Sequence, residues 1–264
     1  MCRVNPQKIR QPENFKDCWI LNPTPDEIRP YRILIKIIPN SPSTDGSYLK
    51  VSMQPVDYIL DLFKSKDFSF YECRNQYLQY TKLDNKQELS DDIFVLKVYT
   101  GEFYREINMY LIDKTIIENK DENSLMMPIN HIKSIIFCIQ ESLKKNKNVK
   151  DGITVYRGIR FKFFDDIGIG SKFYFNNFIS TSNVEKVARD FIGDKGTLLI
   201  IKIKNNKERN YCFDVSKFSE VKSESEVLIS SFCYYLVTDI KRDKEGIDIV
   251  NLDCLGFVLD NLIK

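Results

Sequence analysis

Three short segments hold side chains whose types and spacing suit a single reaction. The first is Val155-Tyr156-Arg157-Gly158, an arginine near the end of a strand-like run with glycine after it. The second is Phe178-Ile179-Ser180-Thr181-Ser182, a strand-like run that closes in three hydroxyls. The third is Ser223-Glu224-Ser225-Glu226, two carboxylates one residue apart that lead into the apolar Val227-Leu228-Ile229. A guanidinium offers bidentate contact to phosphate or carboxylate. Residues two apart in a strand face the same side, so an extended Glu224–Glu226 segment aims both carboxylates into one site. Like charges so placed repel, and they need either solvent or a functional partner. A serine between them and the arginine, Ser180, can orient one carboxylate by hydrogen bond. Together these groups suit a phosphate-bearing ligand on which positive charge develops at carbon.

Several other chemistries are excluded. His131 is the only histidine among 264 residues, so multi-histidine zinc sites and two-histidine metal triads are ruled out. A Ser-His-Asp hydrolase would have His131 alone to use. Gly168-Ile169-Gly170 lacks the third glycine of a dinucleotide fingerprint and is followed by a strand-like run rather than a helix. In Gly193-Asp194-Lys195-Gly196-Thr197 the glycines are too close and the lysine too early for a phosphate loop. Seven cysteines form an odd set with no CxxC pair, which excludes a complete disulfide framework and offers no metal spacing. No metal is implied.

The charge balance, 39 Lys+Arg against 37 Asp+Glu for a net +2, gives no electrostatic reason to expect nucleic acid. Lys144, Lys145, Lys147 and Lys150 cluster where a helix should end, a position the helix dipole favours for cations; a polybasic anchor is the alternative. No apolar run approaches the ~18 residues of a membrane span, and Met1 to Arg10 lacks the apolar core of a secretory signal. The expectation is a soluble, cytoplasmic protein; an effector exported without a cleaved signal would look the same.

The elements that must position the three segments follow from the pattern. Eight of nine prolines fall in the first 55 residues, which marks a different kind of structure at the Pro-rich front. The front predicts strands over Tyr31–Ile38 and Tyr48–Met53 and a short helix from Pro55 to about Lys64. Further helices are expected over Arg105–Glu118, after Pro128 where Ile129, Ile132, Ile135, Ile136, Ile139 and Leu143 recur at helical spacing, and over Val184–Phe191 with Asn183 as N-cap. His131 lies in the second of these and reads as a helix-surface residue. Short runs rich in β-branched and aromatic residues predict strands over Ile153–Tyr156, Lys172–Phe175, Phe178–Thr181, Thr197–Lys204, Tyr211–Val215, Glu226–Phe232, Tyr234–Ile240 and Ile247–Leu252. Helices first and strands later indicate an α+β fold with antiparallel sheet.

Arginine, then Ser-Thr-Ser, then Glu-x-Glu, in this order, resembles the R-S-E signature of the mono-ADP-ribosyltransferases, both eukaryotic ecto-enzymes and bacterial toxins. Val98-Tyr99-Thr100-Gly101-Glu102-Phe103-Tyr104, with Ile107, Asn108 and Leu111, is similar to the helix of those enzymes that carries a Tyr-Thr…Asn…Leu pattern. Ser223 to Ile229 is similar to the Glu-x-Glu-Val-Leu-Ile stretch of the eukaryotic branch. The resemblance spans about Leu96 to Phe232 and makes residues 96–264 the expected catalytic domain, with residues 1–95 of unassigned role. It implies two antiparallel sheets packed at a steep angle around an NAD cleft, with helices N-terminal to them.

It also implies roles. NAD would be cleaved at its glycosidic bond to nicotinamide through an oxocarbenium-like transition state, and nicotinamide leaves without a general acid, consistent with a site that uses no histidine. By similarity Glu226 binds the ribose 2′-hydroxyl and stabilises the cation, Arg157 holds the pyrophosphate, Gly158 meets the nicotinamide amide and Ser180 orients Glu226. Thr181 and Ser182 complete the NAD-binding hydroxyls and serve structure more than catalysis. Phe191 lies where relatives place an aromatic beside nicotinamide; a core phenylalanine is the other reading. Glu224 in Glu-x-Glu points to transfer onto an arginine of a target protein, with Asp214 to Lys222 as the acceptor-recognition turn. Val221 departs from the aromatic common in toxins there. NAD hydrolysis, or an inactive binding module of the same fold, are the alternatives.

Overall fold

The apolar spacing after Pro128 gives the longest of the described helices, against which three of the other four pack. The computed structural model describes residues 32–36, 51–55, 69–78, 89–112, 125–160, 168–170, 172–192, 196–204, 210–219 and 221–257. Among these, five α-helices run over Phe70–Leu78 (α1), Asp91–Thr100 (α2), Tyr104–Ile112 (α3), Ile129–Lys145 (α4) and Glu185–Asp190 (α5). Helix α4 buries Ile132, Ile135, Ile136, Cys138, Ile139 and Leu143 and ends with Lys144 and Lys145 in its last turn. Helices α1, α2 and α3 pack against it. The Ser142 hydroxyl of α4 donates to Asp92 O at 2.7 Å, and Asn146 Nδ2 donates to Asp92 Oδ2 at 2.8 Å. These bonds fix the α2–α4 contact through a buried aspartate, which Lys145 also approaches at 3.7 Å.

Two of the described strands, Arg32–Lys36 (β1) and Val51–Pro55 (β2), form an antiparallel pair. The others are Thr154–Ile159 (β3), Lys172–Phe175 (β4), Ile179–Ser182 (β5), Thr197–Ile203 (β6), Cys212–Asp214 (β7), Glu226–Ile229 (β8), Cys233–Arg242 (β9) and Asp248–Phe257 (β10). They pair in the order β4-β9-β10-β6-β3-β5-β8-β7. The α+β class with helices ahead of the sheet is thus observed. The sheet is mixed, however: β9 and β10 form a hairpin, and β10 returns beside β6 in the same direction, Asp248 opposite Thr197. A period-2 pattern states which face of a strand is buried and not which way its neighbour runs, so this parallel pair left no trace in the sequence. The pairing is continuous through all eight strands, but between β3 and β5 it narrows to one registered pair, Tyr156 with Ser182.

Three local expectations change. The Val98–Leu111 stretch is two helices rather than one, because the chain turns at Gly101, whose N–H donates to Val98 O at 3.3 Å. Strand β8 stops at Ile229, ahead of Phe232, which sits at φ 58° in the left-handed region and ends the extended run. The N-cap of α5 is Val184, not Asn183; its own N–H donates to Ser182 Oγ at 3.0 Å, and no side chain caps the first turn. The expected helix over Pro55–Lys64 and the end of the one over Arg105–Glu118 lie outside the described residues. Among the described residues, no helix is long and apolar enough to cross a membrane.

Candidate active site

The narrow β3–β5 junction is where the three chemistry-bearing segments meet. Arg157 in β3 donates from Nη1 to Ser180 O of β5 at 2.6 Å, bridging the strands where their ladder has one pair. Gly158 follows it, and α5 packs so closely there that a Cβ on residue 158 would lie 1.9 Å from Ala188 O. Glycine at this position is therefore a steric requirement for docking α5 on the sheet. Helix α5 in turn brings Val187, Ala188 and Phe191 to the cleft, and Phe191 stands 45% exposed there.

Glu224 and Glu226 reach the same site by a route other than the expected one. They do not share a strand: Lys222–Glu224 is a single 3-10 turn, Ser225 is left-handed at φ 46°, ψ 50°, and Glu226 opens β8. Strand alternation therefore does not apply, and the reversal at Ser225 sets the two carboxylates in its place. The hydroxyl triplet holds this turn. Thr181 Oγ1 donates to Val227 O at 2.6 Å, Ser182 Oγ donates to Glu224 O at 2.6 Å, and Asn183 N–H donates to Ser225 O at 3.2 Å.

The result is a cleft of 380 Å³ whose walls include Arg157, Gly158, Ser180, Thr181, Ser182, Phe191, Glu224 and Glu226. That volume falls in the range of small-molecule sites. Every residue singled out in the sequence for catalysis or cofactor binding lines it. So do Tyr99, Tyr104 and Asn108 from α2 and α3, which were not among those candidates. Their signal lay in the Tyr-Thr…Asn pattern, which was read as a helix resemblance rather than as part of a site. Asn108 Nδ2 donates to Tyr99 OH at 2.9 Å, and the Tyr99 ring packs edge-on to Phe178 with centroids 5.3 Å apart. A fourth residue missed is Ser219, buried beside Glu226, to whose Oε2 its hydroxyl donates at 3.4 Å.

The electrostatics match a charge-stabilising site. Glu226 is 5% exposed. Burial raises its carboxyl above the ordinary glutamate value and nearby Glu224 pushes the same way, against the pull of Ser180, Ser219 and Arg157. Burial also raises Glu224. Burial draws Arg157 below the usual arginine value, though a guanidinium stays charged in proteins. Two polar atoms in the walls, Arg157 Nε and Asn108 Oδ1, are buried with no hydrogen-bond partner among the described residues. An orphaned guanidinium donor beside Gly158 fits a ligand with anionic oxygens. Among the described residues no group of three or more His, Cys, Asp or Glu is placed to hold a metal ion.

Comparison with known proteins places these features in a family. The family described as NAD:arginine ADP-ribosyltransferase matches residues 72–256, more than two thirds of the chain. Uncharacterized protein R392 of Acanthamoeba polyphaga mimivirus is 38% identical over 78 residues, which are 28% of this chain and 19% of that protein. The match thus spans about a fifth of the length of that curated relative. Among solved structures, the Vis toxin of Vibrio splendidus, an ADP-ribosyltransferase, is 18% identical with a TM-score of 0.49, over 75% of this chain and 91% of its own. Exoenzyme S of Pseudomonas aeruginosa, solved with human 14-3-3 protein beta and carba-NAD, is 19% identical with a TM-score of 0.49, over 75% and 88%. The eucaryotic mono-ADP-ribosyltransferase ART2.2 is 20% identical with a TM-score of 0.45, over 76% and 86%.

Proposed function

Because the chain belongs to the NAD:arginine ADP-ribosyltransferase family, we propose that it transfers ADP-ribose from NAD to an arginine side chain of a target protein and releases nicotinamide. The observation that carries this reading is the convergence of Arg157, Ser180, Glu224 and Glu226, from three separate stretches of chain, on the walls of one cleft.

Each residue has a part its surroundings support. Arg157 binds the pyrophosphate: its Nη1 is committed to Ser180 O, which aims the guanidinium, and its Nε has no partner of its own. Glu226 accepts from the ribose 2′-hydroxyl and faces the anomeric carbon as the bond to nicotinamide breaks. A buried carboxylate stabilises that developing cation far more than one in water does. Ser180 draws the Glu226 pKa down and orients the carboxylate. Gly158 offers backbone groups to the nicotinamide amide, with Phe191 beside the ring. Thr181 and Ser182 act through the backbone of Glu224 and Val227 and keep the acceptor turn in place.

Glu224 receives the acceptor guanidinium and takes its proton as nitrogen attacks the anomeric carbon. Its raised pKa suits a proton acceptor better than an ordinary surface glutamate does. Residues Asp214 to Lys222 form the acceptor-recognition turn, with Val221 exposed at the cleft.

The test is nicotinamide release from NAD, with and without agmatine as a small guanidine acceptor. Wild type should be stimulated by agmatine and yield ADP-ribosyl-agmatine. Glu226→Gln should lower release by about 10²–10³-fold, the usual cost of losing one electrostatic stabiliser. Release indifferent to agmatine would move the reading to hydrolysis or another acceptor. Full activity in Glu226→Gln would overturn the assignment of the site.

A further inference from the structure

Ser219 lies on the turn that follows β7, outside the three segments that carry the proposed reaction. It is 4% exposed. Its hydroxyl donates to Glu226 Oε2 at 3.4 Å and accepts the Val221 N–H at 3.3 Å. A serine hydroxyl has one donor and two acceptor positions, so both bonds coexist. The backbone around it is fixed as well: Ser219 N–H donates to Val215 O at 2.8 Å, and Val215 N–H donates to Glu226 O at 3.0 Å. The stretch from Val215 to Ser219 therefore closes on Glu226 through both its main chain and its side chain.

The terminal torsion of a glutamate is broad, so a single hydrogen bond leaves the carboxylate free to swing about that contact. The Ser219 hydroxyl donates to that carboxylate from the turn after β7, and Ser180 on β5 also draws its pKa down. We infer that Ser219 is a positioning residue for the proposed NAD cleavage: it fixes the plane of the Glu226 carboxylate and ties that plane to the backbone of Val221 in the acceptor turn. The inference rests on the assignment of Glu226 as the residue that stabilises the ribosyl cation. Nothing in the sequence around Phe218-Ser219-Glu220 announces this, since the partner is seven residues away and the bond exists only once the turn has folded back.

The charged and titratable groups that face Glu226 are Glu224 on the 3-10 turn, Arg157 on β3 and Tyr99 on α2. None of them changes when Ser219 is substituted, so a shift in the acid limb of the pH profile reports the lost hydroxyl. Removing a bond to the charged form raises the carboxyl pKa. The experiment measures nicotinamide release against pH and NAD concentration for the full chain and for Ser219→Ala, Ser219→Cys, Ser219→Thr and Glu226→Gln, each checked by thermal melting. Ser219→Ala should lower kcat about tenfold, as expected for a lost bond to an ionised group, with KM for NAD nearly unchanged and the acid limb moved to higher pH. Ser219→Thr should restore both. Should the alanine variant not fold, Ser219→Cys, which nearly keeps the volume and donates feebly, should show the same shift. A folded Ser219→Ala or Ser219→Cys with wild-type kcat and an unmoved acid limb overturns the inference while Glu226→Gln stays dead. Full release by Glu226→Gln would overturn the inference and the functional reading together.

Discussion

Glu226 is held where its charge is costly, and that cost makes two effects of pH opposite in sign. Its carboxyl is raised above the ordinary value chiefly by burial. Catalysis needs the ionised form, so nicotinamide release should fall as pH drops through that raised value, earlier than for a solvated glutamate. Folding runs the other way. A carboxyl whose pKa is higher folded than unfolded binds protons more tightly in the native state, so its contribution declines as pH rises through the raised value. Glu226→Gln should therefore melt above wild type at neutral pH, with the difference closing toward pH 4; equal melting at both would refute the burial argument. Glu224 adds a like charge to the pair. Glu224→Gln should move the Glu226 acid limb to lower pH, abolish transfer to agmatine and spare part of NAD hydrolysis. An unmoved limb, or equal loss of both activities, would sink the division of labour. Residue types made Arg157, Ser180, Glu224 and Glu226 legible in the sequence. Ser219 was not, because a lone serine has no pattern and its meaning comes from the fold.

At the level of elements, local chemistry was legible where periodicity was clean. The β4 run Lys172–Phe175 and the seam of isoleucines in α4 were readable from spacing alone. Helix α2 was not: Asp92, Phe94, Val95, Leu96, Val98 and Tyr99 are buried on more than one side of the helix, so it shows no amphipathic stripe to detect. The Glu224–Glu226 turn was misread because strand alternation was extended across Ser225, whose left-handed backbone only a fold can disclose. Gly158 carries the element-scale prediction. A methyl there meets Ala188 O at 1.9 Å, and that backbone atom moves only if α5 moves. Gly158→Ala should destabilise the protein by about 1–3 kcal/mol, the range of overpacked sites. It should also raise KM for NAD, because α5 carries Val187, Ala188 and Phe191 to the cleft. A variant with unchanged melting and KM would mean that the α5 packing does not matter to the cleft.

For the whole molecule, the question is what the catalytic sheet rests on. The buried apolar cluster is continuous from Cys73 and Tyr77 in α1 through Phe94, Val95 and Leu96 in α2 to α4 and the strands. Two ties reinforce it: Tyr77 OH donates to His131 O, and Asp92 receives Ser142 and Asn146. A chain cut at residue 96 would lose α1 and most of α2. It would bare the face of α4 they cover and take Asp92 from Ser142 and Asn146, each a recognised route to destabilisation. A chain cut ahead of Ser69 would keep all of these contacts. The division at 95/96, drawn from where the family resemblance begins, is thus expected to fail as a folding boundary, because α1 and most of α2 lie ahead of it and their buried residues belong to the same core. Two truncations decide it. Residues 69–264 should melt cooperatively and release nicotinamide, whereas residues 96–264 should bind ANS and show no cooperative transition, the marks of lost tertiary packing. Cooperative melting of residues 96–264 at the full-length temperature would show that α1 and α2 are accessories to the site rather than its foundation.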